Sequence, residues 1–220
     1  MKCMISSNPH PMKEGERKII RGGSLLEERS LFQASGGGSI PTSPHNLELR
    51  RIDKPKAEMC YEKWHYLGKQ GFISEINYGV YCNSKLYGCI SFGSPNAKVL
   101  FPFYTPETQE GWWEVKRLAL SDDLPKNSES RIIGVSIRLL KQVRKVNGIV
   151  TYADSGVGHE GTIYKASGFK YRGLTAPKSD FFEEGHNSPK QRGKIVGLKG
   201  EWRPRSRKHL FVKVFLTPTL

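Results

Sequence analysis

Asp154, Tyr164, His65, Tyr66 and Arg117 are the side chains whose types and positions could carry chemistry. Asp154 closes the apolar run 149–153, where an isolated carboxylate is costly unless it points into a polar site. There it could accept hydrogen from an amine or act as a base; a cap on the turn 156–161 is the structural alternative. Tyr164 stands in the run Tyr-Lys-Ala-Ser-Gly-Phe and could serve as a general acid, or pack on Phe169 as a core residue. His65 and Tyr66 close the first helical segment. A histidine titrating near neutrality suits acid–base work, and a tyrosine can stack on a flipped base. Arg117, on a strand, could pair with a phosphate or carboxylate, or simply face solvent. His65, Asp154 and His159 have the ligand types of a two-histidine, one-carboxylate iron site, but their spacing is too open to assign one, so no metal residues are named.

A second group of residues could hold an anion. In 125–130, Pro-Lys-Asn-Ser-Glu-Ser, the chain turns into a helix whose first backbone N–H groups and dipole favour negative charge. Asn127, Ser128 and Ser130 are small, and the two serines add hydroxyl donors; ordinary helix capping is the alternative. Leu118 and Leu120, just upstream, lie on the strand that would flank a ligand held there.

The elements that must position these groups follow from hydrophobic patterning. Residues 47–52 alternate as a strand, and Asp53 and Pro55 open a helix over 57–67 that ends at Gly68. Two β-rich runs, 76–82 and 86–92, are joined by Asn83-Ser84-Lys85, a hairpin signature. After the loop 93–111 comes a strand over 114–120. A helix follows, capped at Asn127 or Ser128, with Ile132, Val135, Leu139, Val143 and Val146 inward and Asn147-Gly148 as its stop. A strand at 149–153, a short helix at 161–167 and strands at 170–174 and 209–215 complete the pattern. The fold class is mixed α/β with a largely antiparallel sheet flanked by helices: one domain over 46–220 behind a flexible extension over 1–45. That extension is rich in Gly, Ser and Pro and too lean in apolar residues to offset chain entropy.

The chain of 220 residues carries a formal net charge of +14. Nine Lys/Arg and a single acid fall between residues 190 and 213, which is the footprint expected for a phosphate backbone. Lys190, Arg192, Lys194, Arg203, Arg205, Arg207 and Lys208, within the basic segment 187–213, are the candidate nucleic-acid contacts, with composition not separating DNA from RNA and a solubilising tail being the alternative. No apolar run approaches the roughly 18 residues of a membrane span, and no secretory signal is evident, so a soluble intracellular protein without a membrane partner is expected. The four cysteines show no metal-ligand spacing and read as reduced core residues.

Over residues 47–174 the order of these motifs resembles the coenzyme-A-binding core of the GNAT acyltransferase fold. Serines stand at 128 and 130 where that family usually places glycines. The segments His65-Tyr66-Leu67-Gly68, Lys116-Arg117-Leu118, Asn127 to Ser130, Tyr152-Ala153-Asp154 and Gly158 to Tyr164 together resemble the phage Mom DNA-modification proteins. The resemblance implies an enzyme that converts adenine N6 of double-stranded DNA to a carbamoylmethyl adduct, shielding phage DNA from restriction in the cytoplasm of a bacterial host. It also implies acetyl-CoA as a cofactor, held by Arg117, Leu118, Leu120, Asn127, Ser128 and Ser130. His65, Tyr66, Asp154 and Tyr164 are then catalytic, Tyr164 beside the thiol. Trp112, Trp113 and Tyr104 would offer stacking surfaces over the cleft. Two other readings stand beside this one: a general N-acetyltransferase for a protein or small-molecule amine, and a non-catalytic basic DNA-binding protein on the same scaffold. A homodimer is one assembly open to it; the sequence fixes none.

Overall fold

The computed structural model describes residues 40–95, 110–186, 189–190 and 195–215. Ten strands and three helices of more than one turn are described: β1 (Glu48–Ile52), α1 (Lys54–Trp64), β2 (Ile76–Cys82), β3 (Lys85–Gly93), β4 (Trp112–Leu120), α2 (Ser128–Val143), β5 (Gly148–Asp154), α3 (Thr162–Ala166), β6 (Lys170–Leu174), β7 (Lys178–Glu183), β8 (Pro189–Lys190), β9 (Gly200–Arg205) and β10 (Lys208–Val214).

Asp53 starts α1 by accepting the Lys56 N–H at 3.1 Å, with Pro55 in the first turn, where its missing N–H costs nothing. Asn83 and Ser84 turn β2 into β3 with φ of 48° and 64°, the left-handed pair that matches strand twist in a two-residue hairpin. α2 begins at Ser128 as expected but ends at Val143, before Asn147-Gly148. Its buried stripe is Ile132, Ile133, Ser136, Ile137 and Leu140, whereas Val143 is exposed. The inward face is therefore rotated from the expected Ile132/Val135/Leu139 line, because Ile133 and Ile137 are the residues that meet the sheet.

Seven strands form one sheet in the order β1-β2-β3-β4-β5-β10-β6. Every pairing is antiparallel except β4 with β5. The mixed, largely antiparallel α/β class read from the sequence is thus met. One face packs on α2 and α3 through a core that includes Ile132, Ile133, Leu140, Phe92, Ile149, Tyr164 and Phe211. The other face packs on α1 through Ala57, Cys60, Tyr61, Leu86 and Cys89. Cys60, Cys82 and Cys89 are free and buried, as expected of small core residues. Among the described residues no helix is long and apolar enough to cross a membrane.

The parallel contact between β4 and β5 is short. Only Trp112–Glu114 pair with Gly148–Val150, although β4 continues to Leu120 and β5 to Asp154. A bulge at Lys116, where Ser91 faces Arg117 and Phe92 faces Val115, bends β4 just as the pairing ceases. The two strands splay apart and leave a notch through the sheet.

Residues 175–207 form a feature absent from the expected element order. β7, β8 and β9 make a separate three-stranded sheet in the order β8-β7-β9, inserted between β6 and β10. Every residue of β9 is exposed, and Trp202 and Phe181 meet edge to face at 5.6 Å on one face of the arm. Of the N-terminal extension, residues 1–39 lie outside the described residues.

Candidate active site

The notch opens into a cavity of about 550 Å³. One wall is β4 from Glu114 to Leu120, the other is β5 from Tyr152 to Asp154 with the 158–164 segment, and the end of α1 and Lys208 close it. His65, Tyr66, Asp154, Tyr164, Arg117, Leu118 and Leu120 all line this one cavity. Seven residues read from separate parts of the sequence are therefore brought together.

Asp154 takes the capping role weighed for it and also lines the cavity. Its Oδ1 accepts the Gly156 N–H at 2.9 Å and so caps the turn after β5, while Oδ2 accepts from the Tyr66 hydroxyl at 3.4 Å. Burial alone would raise its pKa. Hydrogen bonds from Ser206 and the Gly156 N–H, the Lys208 charge and the Tyr66 hydroxyl outweigh that and hold the carboxyl below the usual aspartate range. It stands as a carboxylate at neutral pH.

His65 differs from expectation. It does not titrate near neutrality: burial, then the charges of Arg117, His159 and Lys208, lower its pKa to about 4. Nδ1 accepts the Leu67 N–H at 3.1 Å, so the neutral ring carries its hydrogen on Nε2 as a donor. The ring stacks on Tyr66 at 4.6 Å. Tyr66 is half-exposed, and burial and the Asp154 carboxylate raise its phenol pKa.

Tyr164 is 7% exposed and sits between Phe169 and Phe211 at 5.9 and 5.6 Å, so it is a core tyrosine as well as a cavity residue. Burial raises its pKa against the pull of the Thr151 hydroxyl, which keeps the phenol protonated. The strand-to-helix turn that aims it depends on Gly161, whose φ is +71° and where a Cβ would collide with the Phe211 ring.

Arg117 has a structural task in place of the anticipated anion pairing. Its two terminal nitrogens donate to the carbonyls of Gly68 and Gln70, and its guanidinium lies over Tyr61 and Phe72 at 5.7 and 5.5 Å. The fork clamps the loop after α1 and so fixes where His65 and Tyr66 stand.

The turn before α2 is likewise rearranged. Asn127 adopts φ 70° and makes no side-chain cap. Ser128 is 1% exposed and its hydroxyl donates to the Pro125 carbonyl at 2.6 Å; the Ser130 hydroxyl donates to the Asn127 carbonyl at 3.1 Å. Both hydroxyls close the turn on itself instead of presenting donors to a ligand. Asn127 and Ser130 border a second cavity of about 500 Å³, shared with His45, Lys126, Arg131 and Arg138. The Arg131 Nε is buried there without a hydrogen-bond partner.

Trp112 and Trp113 are 8% exposed strand residues, the second donating Nε1–H to the Lys145 carbonyl at 3.0 Å. They are core, and not stacking platforms; Tyr104 lies outside the described residues. Among the described residues no three His, Cys, Asp or Glu side chains group as a metal-ligand set, so the His65/Asp154/His159 combination is not assembled as one.

The proposed DNA contacts divide. Arg192 and Lys194 lie outside the described residues. Lys190 pairs with Glu183 at 2.6 Å, Arg203 with Glu201 at 2.6 Å and Arg205 with Asp180 at 3.6 Å, all on the arm. Arg207 donates to the carbonyls of Thr175 and Leu174 and pins the base of the arm. Lys208 is not on the arm at all. It pairs in register with Asp154 and lines the cavity.

Sequence patterning missed Glu114, Tyr152 and the placement of Lys208 in the cavity. Tyr152 had a signal, since alternation along β5 places it on the face of Asp154. Lys208 had none, because its position depends on pairing across more than fifty residues.

Comparison with known proteins follows this geometry. The chain is similar to a methylcarbamoylase, mom, of Escherichia phage Mu, at 30% identity over 194 residues, 86% of this chain and 70% of that protein. Among solved structures it is similar to a GNAT family acetyltransferase from Elizabethkingia anophelis with acetyl-CoA bound, at 13% identity and a TM-score of 0.47, covering 77% of this chain and 99% of the other. It is also similar to an acetyltransferase of Bacillus subtilis in complex with CoA, at 12% identity and a TM-score of 0.48, covering 78% and 99%. The model of the Mom protein family matches residues 46–205, the span that holds every wall of the notch except the end of β10, and the chain belongs to that family.

Proposed function

We propose that this protein is a transferase that modifies adenine N6 in double-stranded phage DNA, building the carbamoylmethyl adduct that shields the DNA from restriction. The observation that carries the reading is the notch between β4 and β5, with an ionised Asp154 at one side and unpaired β4 backbone at the other, in a chain of the Mom family. The similar protein named a methylcarbamoylase supports the nature of the transferred group.

A coenzyme-A thioester fits the residues present. Among the described residues β4 beyond Glu114 pairs with no strand on its β5 side, so the backbone of Leu118 to Leu120 can pair with an extended ligand. Lys126, Arg131 and Arg138 around the second cavity are cations for its phosphates, and the partnerless Arg131 Nε is a donor waiting for an acceptor. When bound, the thioester supplies an acyl group activated by its thiol leaving group.

The chain's own residues set the acceptor. An exocyclic amine presents N–H donors, and the Asp154 carboxylate accepts one of them and takes the proton as the new bond forms. Neutral His65 offers Nε2–H as a hydrogen-bond donor, and protonated Tyr164 is a proton donor at its hydroxyl. A carbamoylmethyl group is joined to N6 through its methylene carbon, whereas acetyl transfer joins through the carbonyl. Starting from an acetyl thioester, that linkage would need both a nitrogen source and a two-electron oxidation of the methyl carbon, so acetyl transfer by itself does not build the adduct.

An adenine must leave the duplex to enter the notch, at a cost of about a few kcal/mol. Charge on the arm supports a contact that would offset that cost. The arm rises from the cavity rim, where Ser155 donates to the Arg207 carbonyl at 2.7 Å, and carries eight Lys/Arg against four Asp/Glu over 175–207. Its Arg203–Glu201 pair is exposed on both sides, and a solvent-screened pair of this kind can exchange for phosphate.

The test is mass spectrometry of nucleosides from DNA of cells expressing the protein. A new adenine-derived nucleoside, absent without expression, is expected. Unmodified adenine alongside soluble, folded protein would overturn the reading.

A further inference from the structure

Three cations line the main cavity, and two of them are committed. Lys116 pairs with Glu114 at 3.0 Å, and Arg117 is spent on the carbonyls of Gly68 and Gln70. Lys208 is the third. Its backbone is locked, the N–H donating to Thr175 Oγ1 at 2.9 Å and the carbonyl accepting from the Thr175 N–H at 2.8 Å. Among the described residues no carboxylate lies within ion-pair distance of its ammonium. Burial, then the charge of Arg205 and, last, that of Arg117 work against the ammonium, while Asp154 and Glu114 favour it. An anion bound beside the ammonium would offset the burial and the neighbouring positive charge.

Position decides which anion. In the sheet order β4-β5-β10, Lys208 stands one strand beyond Asp154, about 4.8 Å farther from the β4 edge. It is on the acceptor side of the notch, remote from the α2 turn and the cations of the second cavity. It is also the residue at which the arm rejoins the sheet, so a nucleic-acid strand following the arm meets Lys208 as it reaches Asp154.

We propose that Lys208, with Arg205 beside it, holds the backbone phosphate that flanks the modified nucleotide, and so sets the depth to which the base enters the notch. The proposal rests on DNA being the acceptor. Lys208 was read from the sequence as one of seven DNA contacts, and its place in the cavity narrows that to the phosphate beside the target, while Arg117 serves as a clamp.

The experiment pairs a protein change with a substrate change. Duplexes containing a site that wild-type protein modifies are prepared with one neutral methylphosphonate, 5′ or 3′ of the target adenine. Modification rate and the salt dependence of binding are then measured for wild type, Lys208→Met and Lys208→Arg. The expected results are a 10- to 100-fold lower kcat/KM for Lys208→Met, a salt slope shallower by about one, and partial recovery in Lys208→Arg. One of the two methylphosphonates lowers the wild-type rate by a similar factor and has no further effect on Lys208→Met. Because that arm uses wild-type protein, it stands even if a variant folds poorly. Losses that multiply, or an unchanged slope with full activity in Lys208→Met, overturn the proposal and leave the function intact. Wild-type protein that modifies no adenine in DNA removes the function itself, and this proposal with it.

Discussion

At the α2 end of the notch the turn satisfies itself, Ser128 donating to Pro125 and Ser130 to Asn127. At the β5 end the polar groups come from distant parts of the chain: Tyr66 from the end of α1, Asp154 from β5, Ser206 from the arm and Lys208 from β10. The first region needs only local hydrogen bonds and would keep its shape around many ligands. The second exists only when the whole sheet is assembled, and its groups tune each other's ionisation. The proposed chemistry draws on the second, with the first contributing backbone and shape.

Variants sharpen that contrast. The largest effect is expected at Asp154→Asn, which keeps an oxygen for the Gly156 N–H but cannot take a proton. Modification should fall by about 10²–10⁴-fold with the melting temperature little changed. Arg117→Lys comes next. Losing the forked contacts to Gly68 and Gln70 should cost about 1–3 kcal/mol in thermal unfolding and raise KM for DNA by displacing His65 and Tyr66.

His65→Gln probes the electrostatics. The folded pKa lies below the unfolded one, so the unfolded chain binds the extra proton first as pH falls from 6.5 toward 4. Wild-type stability should therefore fall across that window more steeply than the variant's. The activity profile should show no His65 step between about pH 5 and 8; a wild-type step near 6.5 that the variant lacks would mean the ring is solvated. Ser128→Ala is the smallest. It should cost about 1 kcal/mol of stability through the Pro125 carbonyl and change the modification rate less than about threefold.

Legibility from sequence divides along the same line. The hairpin at Asn83-Ser84, the Asp53 cap and the succession of the seven main-sheet strands along the chain are local or patterned, and the structure matches them. Asp154 and Tyr164 were legible because each breaks or closes an apolar run beside a glycine turn. The lowered pKa of His65 was not, since it depends on burial and on Arg117, His159 and Lys208 arriving from three other segments. The arm was missed because its strands are short, polar and exposed, and a basic, proline-bearing strand such as β9 reads as a tail. Arg117 was placed on the groove strand and does line the cavity, but nothing in the local sequence says that its guanidinium meets the carbonyls of Gly68 and Gln70, or that Lys208 lines the same cavity.

The measurement that tests the account most directly is nucleoside mass spectrometry of DNA exposed to Asp154→Asn and Ser128→Ala side by side, each shown folded by its melting curve. The modified adenine nucleoside should disappear with Asp154→Asn and persist with Ser128→Ala. Modification that survives Asp154→Asn and is lost with Ser128→Ala would place the chemistry at the other end of the notch and contradict it.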